Sequence, residues 1–543
     1  MQQAFSRTNI IFNKESKLTW LNILSNKTII RVLTAIWLTF TANTVFFSHL
    51  DNFAQIPSAI LLLMLNLVVV MVLTAGFLFK PMIVLLLLVS ASTNYFSQQF
   101  GIMIDSSMLQ NMFETNIDEA SDLITLAFFK HLMVFAFLPC FLLLMTKPKT
   151  ISPLVKRAAT YVITLLLSIT MLVGYALTQY QSLSGYYRMH KELRYYVTPI
   201  NSISSLKSYI KSQLHNEQSP FVQIADRVEF QPFSNKPTVF ILVLGETVRA
   251  DHFSLNGYSR QTNPQLTQLA LINFNQVTSC GTATAHSVPC MFSWMNHNNY
   301  DEFQAKHSEN VIDIIARAGF EVVWLENDGG CKGVCNRVKT VNVAEQAHCI
   351  DGCPDKLLFS SMKELTNTTQ NRLIVLHQQG SHGPAYFRRS QPEHKSFLPE
   401  CQDETFASCS AQEIVNAYDN SLVETDALVA QLIKQVEQQK EVNAGVLYVA
   451  DHGESLGENG VFLHGLPYAF APSAQTHVPM FLWFSKSYQK DANFNVNCLT
   501  KIASLPTSHD ALFGSLLGLL SIDIQTQKPL TNDIAQCRRK HAV

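Results

Sequence analysis

Long apolar runs fill the first third of the chain, and beyond about residue 180 they give way to short β-rich strings alternating with segments of helical period. The runs cover roughly 29–48, 57–79, 81–97, 123–146 and 158–178. A helix needs ~20 apolar residues to cross about 30 Å of hydrocarbon, so the pattern predicts five membrane spans, the third short and turning polar at Ser90. Lys14, Lys17, Lys27 and Arg31 precede or open the first run, as they would in a signal peptide. That run is longer than the roughly 7–15 apolar residues of a cleaved segment and has no convincing small-residue cleavage site, so it reads as a retained anchor.

After the spans, 185–214 is rich in tyrosine and basic residues, which suits a bridge lying in the headgroup zone. Strands are then expected at 239–244, 321–325, 372–376, 446–450 and 478–484, with helices at 309–319, 357–367, 411–437 and 509–520. Strands alternating with helices predict an α/β domain built on a mainly parallel sheet covered on both faces.

Charge orients the spans. The N-terminal segment is basic, 51–57 has no lysine or arginine, and Lys80 and the group Lys147, Lys149, Lys156 and Arg157 fall in alternate loops. The stretch 98–122 carries Asp105, Glu114, Asp118, Glu119 and Asp122 and no basic residue. The positive-inside bias therefore puts the N-terminus in the cytoplasm and everything after the fifth span across the membrane. Of 11 cysteines, Cys140 lies in a span and the other ten follow residue 279 as close neighbours: 280 with 290, 331 with 335, 349 with 353 and 401 with 409, leaving 498 and 537. In an exported domain that is a disulfide framework, although the spacings at 331/335 and 349/353 also suit zinc thiolates. With 40 basic and 41 acidic residues the chain has no basic surplus for nucleic acid.

Four of the predicted strands run into residues that bind metals or phosphates: Glu246, Glu326-Asn327-Asp328, His377 with His382, and Asp451-His452-Gly453-Glu454. Ligands gather at the carboxyl ends of strands in open α/β sheets, so the repeated position defines a site. Cys280 and Cys290 bracket a loop of small residues and hydroxyls around Thr284. A threonine is a poor nucleophile unless something removes its proton. Glu246, Asp451, His452 and the Thr284 oxygen make an O/N ligand set suited to zinc, which would supply that activation. A helix starting just after Thr284 would also receive an anion at its N-terminus, with Pro289 awkwardly early in it. His382 and His464 are candidates to grip phosphate oxygens or a second metal, whereas His377 and His477 read as scaffold. Asn111, Thr115 and Glu119 recur every four residues and would share one face of a helix.

Four stretches taken in order resemble one family: Gly245-Glu246-Thr247-Val248-Arg249-Ala250-Asp251-His252, the stapled threonine loop, His377-Gln378-Gln379-Gly380-Ser381-His382-Gly383-Pro384, and Asp451 through Glu458. They are similar to the phosphoethanolamine transferases that modify lipid A, among them the mobile colistin-resistance enzymes, and the likeness extends to Met108-Leu109-Gln110-Asn111. The resemblance implies a five-helix transmembrane domain over 1–180, a membrane-surface bridge over 181–236, and over 237–543 an alkaline-phosphatase-like α/β/α sandwich in the periplasm of an inner-membrane enzyme. It implies one firmly bound zinc on Glu246, Thr284, Asp451 and His452, with a second during turnover as a further option. Thr284 would be the nucleophile, with Glu246, His382 and His464 also catalytic. Asn111, Thr115, Glu119, Lys332, His382 and His464 would contact substrate. Donor and acceptor would be phosphatidylethanolamine and lipid A, the enzyme a monomer, and the outcome polymyxin resistance. Gly329 departs from the pattern, since some relatives are expected to carry serine there. A sulfatase is the rival reading, but no Cys-x-Pro-x-Arg nucleophile sequence is present. A glycerol-phosphate polymerase using threonine is a closer rival, and a metal-stabilised receptor would have no need of the Thr284 hydroxyl.

Overall fold

The computed structural model describes residues 26–543 apart from 116, 147–152, 217–219, 344–346, 348, 350–352, 407, 532–536 and 538–543. Lys14, Lys17, Lys147 and Lys149, which entered the charge argument, lie outside the described residues. The chain divides into two compact units, one of Met1–Gln99 with Leu126–Ser204 and one of Phe100–Thr125 with Ser205–Val543.

The first unit is helical. Among the described residues four helices are long and apolar enough to cross a membrane: Asn52–Leu73, Gly76–Phe100, Leu126–Met145 and Ala158–Met189. The run predicted at 29–48 instead forms Lys27–Thr41 and a short helix Thr44–Ser48. A helix of 15 residues rises only about 22 Å. Asn43 causes the break: its amide donates to the Leu38 carbonyl and to the Thr198 carbonyl, and its oxygen accepts the Thr198 N–H at 2.8 Å. Buried Arg31 is satisfied inside this unit by the Thr74 hydroxyl and carbonyl, at 2.8 and 2.7 Å.

The second unit is built on an eight-stranded sheet: β1 Thr238–Gly245, β2 Ile272–Thr278, β3 Glu321–Glu326, β4 Lys339–Asn342, β5 Arg372–His377, β6 Asn443–Ala450, β7 His477–Phe484 and β8 Thr507–Ser508. Their order is β8-β2-β7-β6-β1-β5-β3-β4. The four neighbours β6, β1, β5 and β3 run parallel, in a register that pairs Gly245 with Ala450, Leu244 with His377 and Glu326 with His377. Every residue of β1 and β6 is buried, which requires cover on both faces of the sheet. Each fully buried Val, Leu or Ile contributes about 1.5–3 kcal/mol, so the centre of the sheet is the rigid part of the unit. The helix Ala411–Glu437 opens with a capping box, Ser410 accepting from the Glu413 N–H and Glu413 accepting from the Ser410 N–H.

Five disulfides join 280 to 290, 331 to 335, 349 to 353, 401 to 409 and 498 to 537, and Cys140 is free and buried. The thiolate-zinc alternative for 331/335 and 349/353 is thereby replaced. Alkylation of the denatured, unreduced protein is expected to add one label, at Cys140, and after reduction to label all 11 cysteines. Ten or more labels without reduction would contradict the bridged state.

The acidic stretch 98–122, read from hydropathy as a loop between spans, belongs from Phe100 onward to the second unit. Gln110 donates to Glu302 at 2.7 Å, and Asp122 pairs with Arg388 at 2.6 Å and Arg389 at 3.4 Å.

Candidate active site

The carboxyl ends of β6, β1, β5 and β3 deliver the site. Glu246 follows β1 directly and is fully buried. Thr247 then takes a left-handed φ of 53°, which a β-branched residue seldom adopts, and this turns the chain away from the sheet. The turn is held by Tyr418, whose hydroxyl donates to the Thr247 carbonyl at 2.8 Å and accepts the Arg249 N–H at 3.0 Å. Buried Arg249 in turn pairs with Asp251 at 2.7 Å and Glu458 at 2.6 Å, tying this loop to the one after β6. Gly380 packs against Glu246 with φ of 52°, and a Cβ there would stand 2.6 Å from the Glu246 carbonyl oxygen. Only glycine fits that approach.

Asp451 and His452 follow β6. Oδ1 of Asp451 accepts the N–H groups of His452 at 2.7 Å and Thr247 at 3.2 Å, while its buried Oδ2 has no hydrogen-bond partner. Nδ1 of His452 lies 3.0 Å from the Gly453 carbonyl, so it carries the proton and Nε2 is left as an acceptor. Burial pushes the His452 pKa down to about 4, and the ring is neutral at pH 7.

Thr284 opens the helix Thr284–Met291, and Pro289 is accommodated inside it. The Thr284 hydroxyl stands 3.1 Å from both Glu246 oxygens and 3.3 Å from His452 Nε2. That nitrogen is 3.2 Å from Asp451 Oδ2 and 3.4 Å from Glu246 Oε1. Donor atoms at about 2.0–2.1 Å from a tetrahedral zinc lie roughly 3.3–3.4 Å apart, so these separations suit a common ion. Electrostatics agrees with the spacing. Carboxylate oxygens within 4.8 Å of each other, in a buried site, repel by about 3.5 kcal/mol at an effective dielectric of about 20, and a neutral imidazole does not offset this. The orphaned Asp451 Oδ2 and the O/N donor set fit a divalent cation of the zinc type.

The stapled loop is fixed from behind. The Cys280 N–H donates to Nδ1 of His509, whose Nε2 donates to the Ala450 carbonyl, and Ser287 donates to the Asp451 carbonyl at 2.6 Å. Burial holds His509 down to about 4, which keeps it in that neutral bridging form. Thr282 points elsewhere: its hydroxyl donates to the Leu466 carbonyl at 2.6 Å.

His464 and His382 stand beside His452. The His464 ring centroid is 4.5 Å from that of His452 and 5.2 Å from that of His382. Nδ1 of His464 meets Glu454 at 2.8 Å, and Tyr386 donates to the other Glu454 oxygen at 2.6 Å. Burial, with His464 and Arg389 nearby, pushes His382 well below the ordinary histidine range. Lys332, within the 331–335 disulfide loop, donates to the carbonyls of Gly329 at 2.7 Å and Glu114 at 3.2 Å. Gly329 thus keeps a contact with Lys332 through its backbone.

One expected geometry is corrected. Asn111 lies in the helix Ser106–Glu114, but Thr115 is extended and Glu119 belongs to a separate helix, Ile117–Leu123, so the three do not ride one helical face. Thr115 turns its hydroxyl back onto the Asn111 carbonyl at 2.6 Å. The Glu119 side chain lies outside the described residues. His377, read as scaffold, also sits at the strand ends, 2.9 Å from Glu326. Burial works against its charge, but the Glu326 and Asp328 carboxylates push its pKa up to about 9. Sequence reasoning placed Glu454 and Asp328 only among the metal- or phosphate-type residues at strand ends, with no individual role, and gave none to His509 or Asp122. Nothing local in the sequence marks His509.

Residues 238–522 match the Sulfatase family, and residues 61–214 match the family described as Phosphoethanolamine transferase EptA/EptB. The chain is 39% identical over 475 residues to phosphoethanolamine transferase EptA of Escherichia coli K12, covering 85% of this chain and 86% of that one. It is 36% identical over 533 residues to phosphatidylethanolamine transferase Mcr-2 of Escherichia coli, covering 93% and 97%. The solved integral membrane lipooligosaccharide phosphoethanolamine transferase A (EptA) of Neisseria meningitidis superposes with a TM-score of 0.90 at 34% identity, over 94% of this chain and 99% of that one. With the strand-end residues and the apolar helices both accounted for, the chain belongs to the phosphoethanolamine transferases, as an integral membrane enzyme of the bacterial inner membrane.

Proposed function

We propose that this enzyme moves phosphoethanolamine from phosphatidylethanolamine to a phosphate of lipid A through a covalent intermediate on Thr284. The observation that carries the reading is the meeting of the Thr284 hydroxyl with Glu246 and His452 at 3.1–3.3 Å in a buried site. Glu246, Asp451, His452 and Thr284 would hold zinc. Bound there, zinc lowers the pKa of a coordinated hydroxyl, as it lowers that of water from 15.7 to about 7.

In the first step the Thr284 proton leaves along its hydrogen bond to Glu246 and Oγ attacks the donor phosphorus. An Oγ–P bond forms, the bond from phosphorus to the glycerol oxygen breaks, and His464, backed by Glu454, gives the departing diacylglycerol its proton. In the second step a lipid A phosphate hydroxyl gives its proton to His464 and its oxygen attacks the same phosphorus, the Oγ–P bond breaks, and Thr284 regains its proton from Glu246. His382 and Lys332 bind phosphoryl oxygens, while Asn111, Thr115 and Glu119 contact the lipid. We read 1–180 as a five-crossing membrane domain in which Lys27–Thr41 and Thr44–Ser48 together make the first crossing. Residues 181–236 are read as a surface bridge, 237–543 as the periplasmic alkaline-phosphatase-like sandwich, and the enzyme as a monomer.

Intact-lipid mass spectrometry of cells with and without the protein tests the acceptor, with a phosphoethanolamine increment on lipid A as the expected difference. Because the transferred ammonium offsets phosphate charge, the same cells are expected to bind less polymyxin and survive more of it. Modified lipid with unchanged susceptibility would remove the resistance link, and an unmodified lipid A with another glycan modified would move the acceptor.

A further inference from the structure

A second cluster shares Glu246 but none of the other proposed ligands. One atom each of Glu246, Asp328 and His377 lies within 4.8 Å of the others. His377 comes from the end of β5, where Nδ1 is engaged by Glu326 at 2.9 Å. That carboxylate is itself fixed, accepting from Trp324 Nε1 at 2.8 Å and from the Asp328 N–H at 2.7 Å. A metal-binding histidine usually has its other ring nitrogen held by a carboxylate in this way. The remaining nitrogen, Nε2, stands 3.8 Å from Asp328 Oδ2, too far for a hydrogen bond and close to the separation of two ligands on one ion. Buried His377 Nε2 and buried Asp328 Oδ1 have no hydrogen-bond partner. The two side chains are 0% and 3% exposed, so water does not satisfy them freely.

We propose that Asp328, His377 and Glu246 form a second divalent-cation site, with the Glu246 carboxylate bridging it to the first. Two carboxylates and one imidazole suit zinc or manganese better than magnesium or calcium. The competing occupant is a proton on His377, which would make the group an ion pair between Glu326 and Asp328. This inference rests on the proposed function only through Glu246, and the two fail separately.

The test is zinc content by elemental mass spectrometry on purified full-length enzyme, equilibrated with zinc and dialysed. Two ions per chain are expected for the unsubstituted protein, one for Asp328→Asn and for His377→Gln, and one for Asp451→Asn, which removes the first ion only. One ion in the unsubstituted protein, unchanged by Asp328→Asn, would overturn the second site. A count insensitive to Asp451→Asn would instead count against the first. Thermal unfolding with chelator and with zinc guards against a folding defect. Zinc is expected to raise the melting temperature of the unsubstituted protein more than that of Asp328→Asn, and equal shifts would overturn the proposal.

Discussion

Thr284→Ala is expected to leave a folded, metal-loaded protein that releases no diacylglycerol from phosphatidylethanolamine, a loss on the order of 10⁴-fold or greater. Alanine removes the oxygen that would bond to phosphorus and that would be one of four metal ligands, leaving Glu246, Asp451 and His452 to hold the ion, while the helix Thr284–Met291 and the hydrogen bonds through Ser287 and Cys280 do not use that hydroxyl. Thr282→Ala is the control on the same loop. Its hydroxyl is engaged by the Leu466 carbonyl, so its loss is expected to weaken the loop by about 1 kcal/mol while much of the activity remains. Robust turnover by Thr284→Ala would eliminate the covalent route, and equal losses in both variants would make the loop's shape, rather than one oxygen, the determinant. His382→Ala and His464→Ala are expected to lower activity and keep the first ion, because neither belongs to the group around Thr284.

Asp451→Asn is expected to cut turnover by about 10³-fold or more, the scale set by losing several kcal/mol of metal stabilisation of transition-state charge. The same substitution has an opposite effect on the metal-free protein. With chelator present, Glu246 and Asp451 face each other with no cation, and neutralising one of them relieves a repulsion of about 3.5 kcal/mol at an effective dielectric of about 20. Asparagine keeps an oxygen to accept the His452 and Thr247 N–H groups. Asp451→Asn is therefore expected to melt higher than the unsubstituted protein in chelator and to gain less from added zinc. A variant that melts lower in chelator and still turns over would contradict the ligand assignment.

These residues were readable from the sequence for a physical reason. The runs at 239–244, 321–325, 372–376 and 446–450 are buried on both faces, so they read as continuous apolar strings, and each polar residue ending one marks the edge of the sheet. Four such edges aligned by parallel pairing make a single site, and a strand list alone predicts that much. Failures occurred where one side chain decides the backbone. Asn43 ends a helix within an apolar run by bonding to Thr198, some 155 positions away, and no local window contains that partner. The Asn111 helix likewise stops at Glu114 with Thr115 extended, a boundary that spacing arithmetic does not contain. His377 read as scaffold because its neighbours Glu326 and Asp328 come from the end of β3 and the loop after it, adjacent in space and distant in sequence. His509 is the same case, reaching both Cys280 and Ala450.

The covalent step is the centre of this account, and withholding the acceptor isolates it. Purified enzyme incubated with phosphatidylethanolamine and no lipid A, then digested and analysed by mass spectrometry over residues 280 to 290, is expected to carry one phosphoethanolamine group on Thr284. The adduct should disappear when lipid A is added and should be missing from Thr284→Ala. An adduct on Thr282, or diacylglycerol release with no modified peptide, would contradict it.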